Sequence, residues 1–348
     1  MMAKKMKALL FPAVDEYQYI ETDIPEMADD QVLLQVKETG VCHGDILAFT
    51  GKHPYRIPPL VSGHEMGGIV VSVGKDVTDF KVGDRVAVEP QIGCGVCEFC
   101  RKGDYNVCAD KRMIGVDGWS GTYGEYVVAY PSMCMKIPNS MSYEESALIE
   151  PFCVGVHAVS LADLHIGDTA AVLGGGTIGN MVLTALTQKE LSEVFCSDLS
   201  EKKNENSLKR GATVALNPKH GNIVDEVLRQ TSGSGVDAVF VTSSYPGVMD
   251  DALRICKKKG VVVLIAFLDS TIKLNTVGLI QQGERRIVGS NSYTMKDYRW
   301  VLEQYGKGTL DLKSLITKKV PFSEGGAVIK EMAHGLLPDE IKVMISME

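Results

Sequence analysis

Up to about residue 150 the apolar runs are short, largely β-branched and broken by Gly and Pro: Gln31-Val32-Leu33-Leu34-Gln35-Val36, Gly68-Ile69-Val70-Val71-Ser72-Val73, Asp84-Arg85-Val86-Ala87-Val88 and Gly124-Glu125-Tyr126-Val127-Val128. Runs of this length between turn residues predict a mostly antiparallel β domain. Near residue 151 the pattern changes. A strand from Thr169 to Leu173 is followed by a helix through Leu183, a strand from Val194 to Asp198 and a polar helix ending at Arg210. The alternation continues with Val236 to Thr242, a helix over Val248 to Cys256, and strand-like Gly260 to Phe267. Strands alternating with helices predict a parallel, doubly wound sheet. From about Ser290 the rhythm is lost, and this last segment reads as one that rejoins the first domain. No internal repeat interrupts the scheme.

The length of 348 residues suits two globular domains, each large enough to bury a core without disulfides. Lys and Arg number 36 against 44 Asp and Glu, a net charge of −8 with no long single-sign block, so nucleic acid is excluded as the expected partner. The longest apolar run, Val261 to Leu268, has eight residues, against the roughly 20 needed to span a bilayer, and reads as a buried strand. Lys4, Lys5 and Lys7 precede a short apolar stretch, but Pro12 interrupts it and Asp15-Glu16 follow, which leaves no signal-peptide core. A cytoplasmic protein with no membrane association is the expectation. In such a compartment an odd count of nine cysteines points to metal binding or packing, not to disulfides.

After the strand Ala170-Ala171-Val172-Leu173 comes Gly174-Gly175-Gly176-Thr177-Ile178-Gly179, and then an apolar helix. Gly174, Gly176 and Gly179 fit G-x-G-x-x-G, in which the glycines serve the tight turn, the approach of a pyrophosphate, and helix packing. Alone, such a turn is weak evidence of a ligand. The next strand, however, ends in Asp198, 19 positions after Gly179, where a carboxylate accepts hydrogen bonds from the adenosine ribose and repels a 2′-phosphate. NAD is therefore expected ahead of NADP. Lys202 and Lys203 either weaken that preference through contact with the cofactor or are a solvated helix start.

Cys94, Cys97, Cys100 and Cys108 lie within fifteen residues and can converge on one Zn²⁺ as a closed, structural set. Four thiolates also suit an iron–sulfur cluster, while the spacing does not match a paired-C-x-x-C zinc ribbon. Upstream stand Gly40-Val41-Cys42-His43-Gly44-Asp45 and Gly63-His64-Glu65-Met66-Gly67-Gly68. Thiolate, imidazole and carboxylate together make a mixed set that leaves a position open on zinc, as catalytic zinc needs.

The order of these segments resembles the zinc-dependent medium-chain dehydrogenase/reductase family over nearly the whole chain. The resemblance implies an α/β fold: a GroES-like, mostly-β catalytic domain from 1–150 and 290–348, with a structural zinc lobe at about 90–110, and a Rossmann NAD-binding domain at 151–289. Ile149-Glu150-Pro151 looks like the sorbitol, butanediol and threonine dehydrogenase branch. By that likeness Cys42, His64 and Glu65 hold the catalytic zinc, directly or with exchange. Glu150 takes the fourth position, directly or through water, and Cys153 is its rival. The likeness further implies two zinc ions per chain and cofactor contacts at Gly174, Gly176, Thr177, Ile178, Gly179, Asp198 and Lys203. A homodimer or homotetramer is implied as well. Gly289 to Thr294, with Lys307-Gly308 and Leu315-Ile316-Thr317, looks most like the butanediol and related polyol enzymes.

Two departures stand out. Family members read Cys-x-Ser/Thr-Asp, often with His five residues after the Cys, as a proton relay, but Gly44 and Leu47 occupy those places here. Either the proton leaves by another route, such as a water chain, Glu150 or His53, or the usual alcohol chemistry is compromised. Ser292 stands where sorbitol dehydrogenases carry an Arg, which disfavours sorbitol itself. The expected activity is zinc-dependent hydride transfer between NAD and a secondary alcohol of the polyol, vicinal-diol or sugar-alcohol kind, with a small-molecule alcohol or ketone as substrate. The rival readings are a zinc-independent enone or quinone reductase using NAD(P)H, and a non-enzymatic NAD-binding protein.

Overall fold

In the strand Val32–Gly40 the residues Val32, Leu34 and Val36 are buried while Leu33, Gln35 and Lys37 are half-covered. This period of two sets one face of the strand on a core. Around it, in a computed structural model that describes residues 5–116, 118–268 and 271–347, forms a seven-stranded sheet. Its spatial order is Cys134–Lys136, Arg85–Val88, Glu65–Val73, Val32–Gly40, Lys342–Ser346 and Ile316–Pro321, with Tyr126–Ala129 also paired to Val32–Gly40. Every pairing is antiparallel except Ile316–Pro321 on Lys342–Ser346. The strand Lys342–Ser346 thus pairs with one from the first forty residues, and residues 1–150 and 294–348 form one unit. Lys5–Phe11 pairs with Gln18–Asp23 and Leu60–Val61 in a smaller sheet of the same unit.

Residues 151–293 form the second unit. Its six strands are all parallel, in the order Val214–Leu216, Glu193–Ser197, Thr169–Leu173, Val236–Val241, Cys256–Leu264 and Arg286–Gly289. The chain begins in the middle, builds outward one way, then returns and builds the other way, so the order reverses beside Thr169–Leu173. In sheets of this kind the crevice beyond the carboxyl ends at that reversal receives a ligand. Both faces are buried: Ala170 and Val172 pack with Val182, Leu183 and Phe240, while Ala171 and Leu173 pack with Phe195, Val224 and Leu253. Burial on both sides is why these strands read as unbroken apolar runs.

Strand Val214–Leu216 and helix Ile223–Gln230 were not among the elements the alternation predicted. The eight-residue apolar run also divides. Its first half, to Leu264, lies in the strand that begins at Cys256, whereas Phe267 is 58% exposed. Pairing with both neighbouring strands ends at Leu264, so nothing extends the ladder further. Among the described residues no helix is long and apolar enough to cross a membrane.

Candidate metal centres and cofactor turn

Cys42 is the N-cap of the helix His43–Phe49, which follows directly on the strand Val32–Gly40 and Val41. His64 immediately precedes Glu65, the first residue of the strand Glu65–Val73, whose partner in the sheet is Gly40. Pairing these two strand ends is what brings Cys42, His64 and Glu65 together, with their ligand atoms within 4.8 Å of one another. Glu150 is buried in the first turn of the helix Ile149–Ser160 but does not join this close group.

The carboxylate behind the group is Asp45, fully buried. It accepts from the Cys42 N–H (3.1 Å), Ser62 Oγ (2.6 Å), the Gly63 N–H (3.2 Å), Tyr123 Oη (3.0 Å) and Arg56 Nη1 (3.2 Å). Its Oδ1 also lies 3.5 Å from His64 Nδ1. Burial opposes its charge, yet His64, Arg56 and the Ser62 hydroxyl hold it well below the usual carboxylate range. With Nδ1 turned to Asp45, His64 offers Nε2 to a metal, the carboxylate–histidine arrangement that orients such ligands. Glu65 is balanced from the other side. Lys342, 1% exposed, forms an ion pair with it and donates to the Val41 carbonyl at 3.1 Å. A thiolate, an imidazole and a carboxylate, each oriented by a buried partner, fit a divalent zinc-like ion.

Asp45, Arg56, Tyr123 and Lys342 carried no role in the sequence reading. Asp45 stood inside a quoted motif, but nothing in the spacing signals that Lys342, on the last strand, would meet Glu65.

The second cysteine group forms where Gln91–Ile92 pairs with Arg112–Met113 and clamps the loop between them. Cys94, Cys97, Cys100 and Cys108 place their sulfurs within 4.8 Å of one another. The N–H groups of Cys94, Cys97 and Cys100 each point at a sulfur of another member at 3.4 Å. Backbone donors from Val96 and Cys97 bring the Cys94 thiol down to about 7, the direction a thiolate metal ligand requires, while burial pushes its neighbour Cys100 up to about 12. Cys134 and Cys196 act as packing: burial pushes both up to about 12, at Cys196 against hydrogen bonds with Ser207 and the Ser197 backbone.

Between the lobe and the sheet lies a buried acid. Glu89 accepts from Tyr105 Oη at 2.7 Å and from Gln91 Nε2 at 3.3 Å, and Tyr105 Oη accepts the Met295 N–H. Burial, with charge from Glu150 and Asp297, pushes Glu89 up to about 7 against those hydrogen bonds. Position 53 also acquires a definite state. His53 Nδ1 accepts from the Arg56 N–H (3.1 Å) and the Tyr55 N–H (3.4 Å), so the neutral ring carries its proton on Nε2. Burial and Arg56 lower its pKa to about 4, which makes it a donor and not a proton acceptor near neutrality.

In the second unit Gly174 leaves the strand Thr169–Leu173 with φ +119°, a conformation only glycine adopts readily. A Cβ on Gly179 would run into the Gly174 carbonyl, whereas one on Gly176 would meet nothing within 4 Å. The protein itself therefore requires the first and third glycines, and the second leaves open space at the uncapped start of the helix Thr177–Leu186. Such an N-terminus suits a phosphate. Thr177 and Ile178 are its first two residues. The turn is braced by Asn180 Nδ2 on the Gly175 carbonyl (2.6 Å), by Thr242 Oγ1 on the Gly174 carbonyl (2.8 Å) and by Ser243 Oγ on the Leu173 carbonyl (2.8 Å). Asp198 faces this turn: its carboxylate accepts the Gly175 N–H and the Ser200 N–H, both at 2.9 Å. Lys203 is half-buried, its N–H capped by Ser200 Oγ at 3.2 Å.

Residues 28–139 match the alcohol dehydrogenase GroES-like domain family and residues 177–307 the zinc-binding dehydrogenase family. A sorbitol dehydrogenase of Bacillus subtilis is 33% identical over 318 residues, 90% of each chain. A D-arabitol-phosphate dehydrogenase of Enterococcus avium is 32% identical over 99% of this chain and 98% of its own. A solved structure of a zinc-binding dehydrogenase of Sinorhizobium meliloti, bound to NADP, superposes with a TM-score of 0.91 at 28% identity and 99% coverage of both chains.

Proposed function

We infer that the chain, which belongs to the zinc-dependent medium-chain dehydrogenase/reductase family in its polyol dehydrogenase branch, moves a hydride between a secondary alcohol and NAD. The observation that carries this reading is the convergence of Cys42, His64 and Glu65 beside a buried, fully hydrogen-bonded carboxylate. In the forward direction the carbinol would give up a hydride to the bound cofactor and its hydroxyl proton to solvent, leaving a ketone. Zinc, when bound, supplies the Lewis acidity that lowers the hydroxyl pKa, and the nicotinamide accepts the hydride.

The chain's own residues do the rest. Cys42, His64 and Glu65 hold the catalytic ion, with Glu150 in the fourth position or reaching it through water. Asp45 fixes the His64 tautomer, and Lys342 balances Glu65. Cys94, Cys97, Cys100 and Cys108 hold a second, structural zinc. Gly174, Gly176, Thr177, Ile178 and Gly179 cradle the pyrophosphate, and Lys203 lies near it. Asp198, anchored by two backbone N–H groups, takes the ribose hydroxyls and disfavours a 2′-phosphate, which supports NAD over NADP. We place 1–150 with the C-terminal segment as the catalytic domain and the parallel-sheet unit as the cofactor domain. The edge strand Arg286–Gly289, paired on one side only among the described residues, supports assembly as a homodimer or a tetramer built from such dimers. The odd count of nine cysteines supports residence in the reducing cytoplasm.

The test is a screen of polyols and diols with NAD and NADP on protein of measured metal content. Two zinc ions per chain and NAD-linked oxidation are expected. Undiminished activity in metal-free protein would replace this reading with that of a zinc-independent reductase.

A further inference from the structure

Asp45 is satisfied without Arg56. The Cys42 N–H and Tyr123 Oη donate to its Oδ2, and Ser62 Oγ and the Gly63 N–H donate to its Oδ1. Arg56, in return, is poorly satisfied. It is 5% exposed, its Nη2 donates to the Met113 thioether at 3.3 Å, and its Nε is buried with no hydrogen-bond partner among the described residues. A buried guanidinium with five N–H donors and so few acceptors is costly, so the stability of the fold does not account for its place.

The guanidinium instead reaches the metal group from behind. Arg56 Nη1 lies 3.1 Å from His64 Nδ1, nearer to it than Asp45 Oδ1 at 3.5 Å, and donates to that same Oδ1 at 3.2 Å. Once His64 gives Nε2 to a metal, its Nδ1 bears a hydrogen and needs an acceptor, so His64 and Arg56 compete for one oxygen. An anionic carboxylate behind an imidazole makes it a stronger ligand, and a guanidinium that shares this carboxylate undoes part of the effect. Lys342 stands in the same relation to Glu65. With both carboxylates balanced by buried cations, the charge left to face the ion is that of the Cys42 thiolate.

We propose that Arg56 is a positioning residue that draws Asp45 off His64, so that the catalytic zinc is held more loosely and left more electron-poor than its ligands alone would make it. A substrate oxygen is then polarised more strongly, and reactivity is gained where metal retention is lost. This role presupposes Cys42, His64 and Glu65 as ligands of the catalytic ion.

Zinc affinity set against anion affinity tests this without turnover. Arg56→Met and Arg56→Gln remove the charge with different shapes, and Arg56→Lys keeps it without the planar fork. Chelator competition on zinc-loaded protein, with Cys42→Ala protein as the reference for the four-cysteine site, should show both neutral variants holding the catalytic zinc about tenfold tighter than the wild type, and Arg56→Lys within about threefold of it. Calorimetry of the same loaded proteins with formate, an anion able to take the open position on the ion, should show the reverse: about tenfold weaker binding in the neutral variants, with recovery in Arg56→Lys. An arginine that only propped the fold would on removal weaken both affinities together. Zinc held no tighter in both neutral variants, failure to fold included, would overturn the proposal, as would tighter zinc with unchanged formate binding. A wild-type chain that holds one zinc instead of two counts separately, against Cys42, His64 and Glu65 as metal ligands.

Discussion

The two cysteine-bearing sites of the first unit are built in opposite ways. Cys94, Cys97, Cys100 and Cys108 come from one loop, all but Cys108 are partly exposed, and their order is kept by backbone donors within that loop. Cys42, His64 and Glu65 come from two strand ends, and the charges around them are buried: Asp45, Arg56 and Lys342 are each at most 5% exposed. A local, exposed site can be emptied with damage confined to its loop. A buried, charged one is compensated by the whole fold, so each partner removed exposes another group's uncompensated charge.

The harshest test of that contrast is Cys42→Ala. It should cost roughly a thousandfold or more in kcat, remove one of the two zinc ions and spare NAD binding, as read by turnover, metal analysis and cofactor titration. Lys342→Met comes next. Leaving the Glu65 carboxylate buried alone should lower the stability of metal-free protein by about 3–5 kcal/mol in denaturant melts. Zinc should restore part of it if Glu65 turns to the ion, and no recovery would argue that Glu65 is not a ligand.

The link between the regions is Glu89, and its test is pH. A carboxyl raised from 4.5 to about 7 keeps its proton longer when folded, so its stabilising contribution is full below about 4.5 and is lost as pH rises through 7. The loss amounts to about 3 kcal/mol, and Glu89→Gln should flatten that stretch of the stability curve; parallel curves for the two proteins would refute the assignment. Asp45→Asn should lower zinc affinity or activity by about 10- to 100-fold, with the larger effect on metal retention in chelator competition. Smallest is Cys97→Ser. It should free the structural zinc and speed proteolysis near 90–110, while kcat per intact chain changes by less than about threefold. A collapse in kcat there would show that the lobe supports the chemistry through Tyr105 and Glu89.

Much was legible in the sequence wherever the signal is local. Both faces of the parallel strands are buried, so they read as unbroken apolar runs, and the four cysteines lie within one loop. The glycines of the cofactor turn are dictated by backbone contacts within a few residues, as the Gly174 conformation and the Gly179 approach show. The strand Val214–Leu216 was missed because three half-buried residues make too short a pattern. The tail of the apolar run to Leu268 was misread because the ends of a strand depend on what its neighbours pair with.

The sequence by itself carried the change from antiparallel to parallel strands, the glycine turn with Asp198 after the next strand, and the residues that converge in the two cysteine-bearing groups. Only the tertiary structure decided how those donors are charged and oriented. Asp45 behind His64, Lys342 across from Glu65, and Arg56 against both Asp45 and His64 are meetings between strands and loops distant in sequence. Periodicity and spacing report neighbours along the chain, whereas the balance of buried charge depends on which distant segments the sheet brings within a few ångströms.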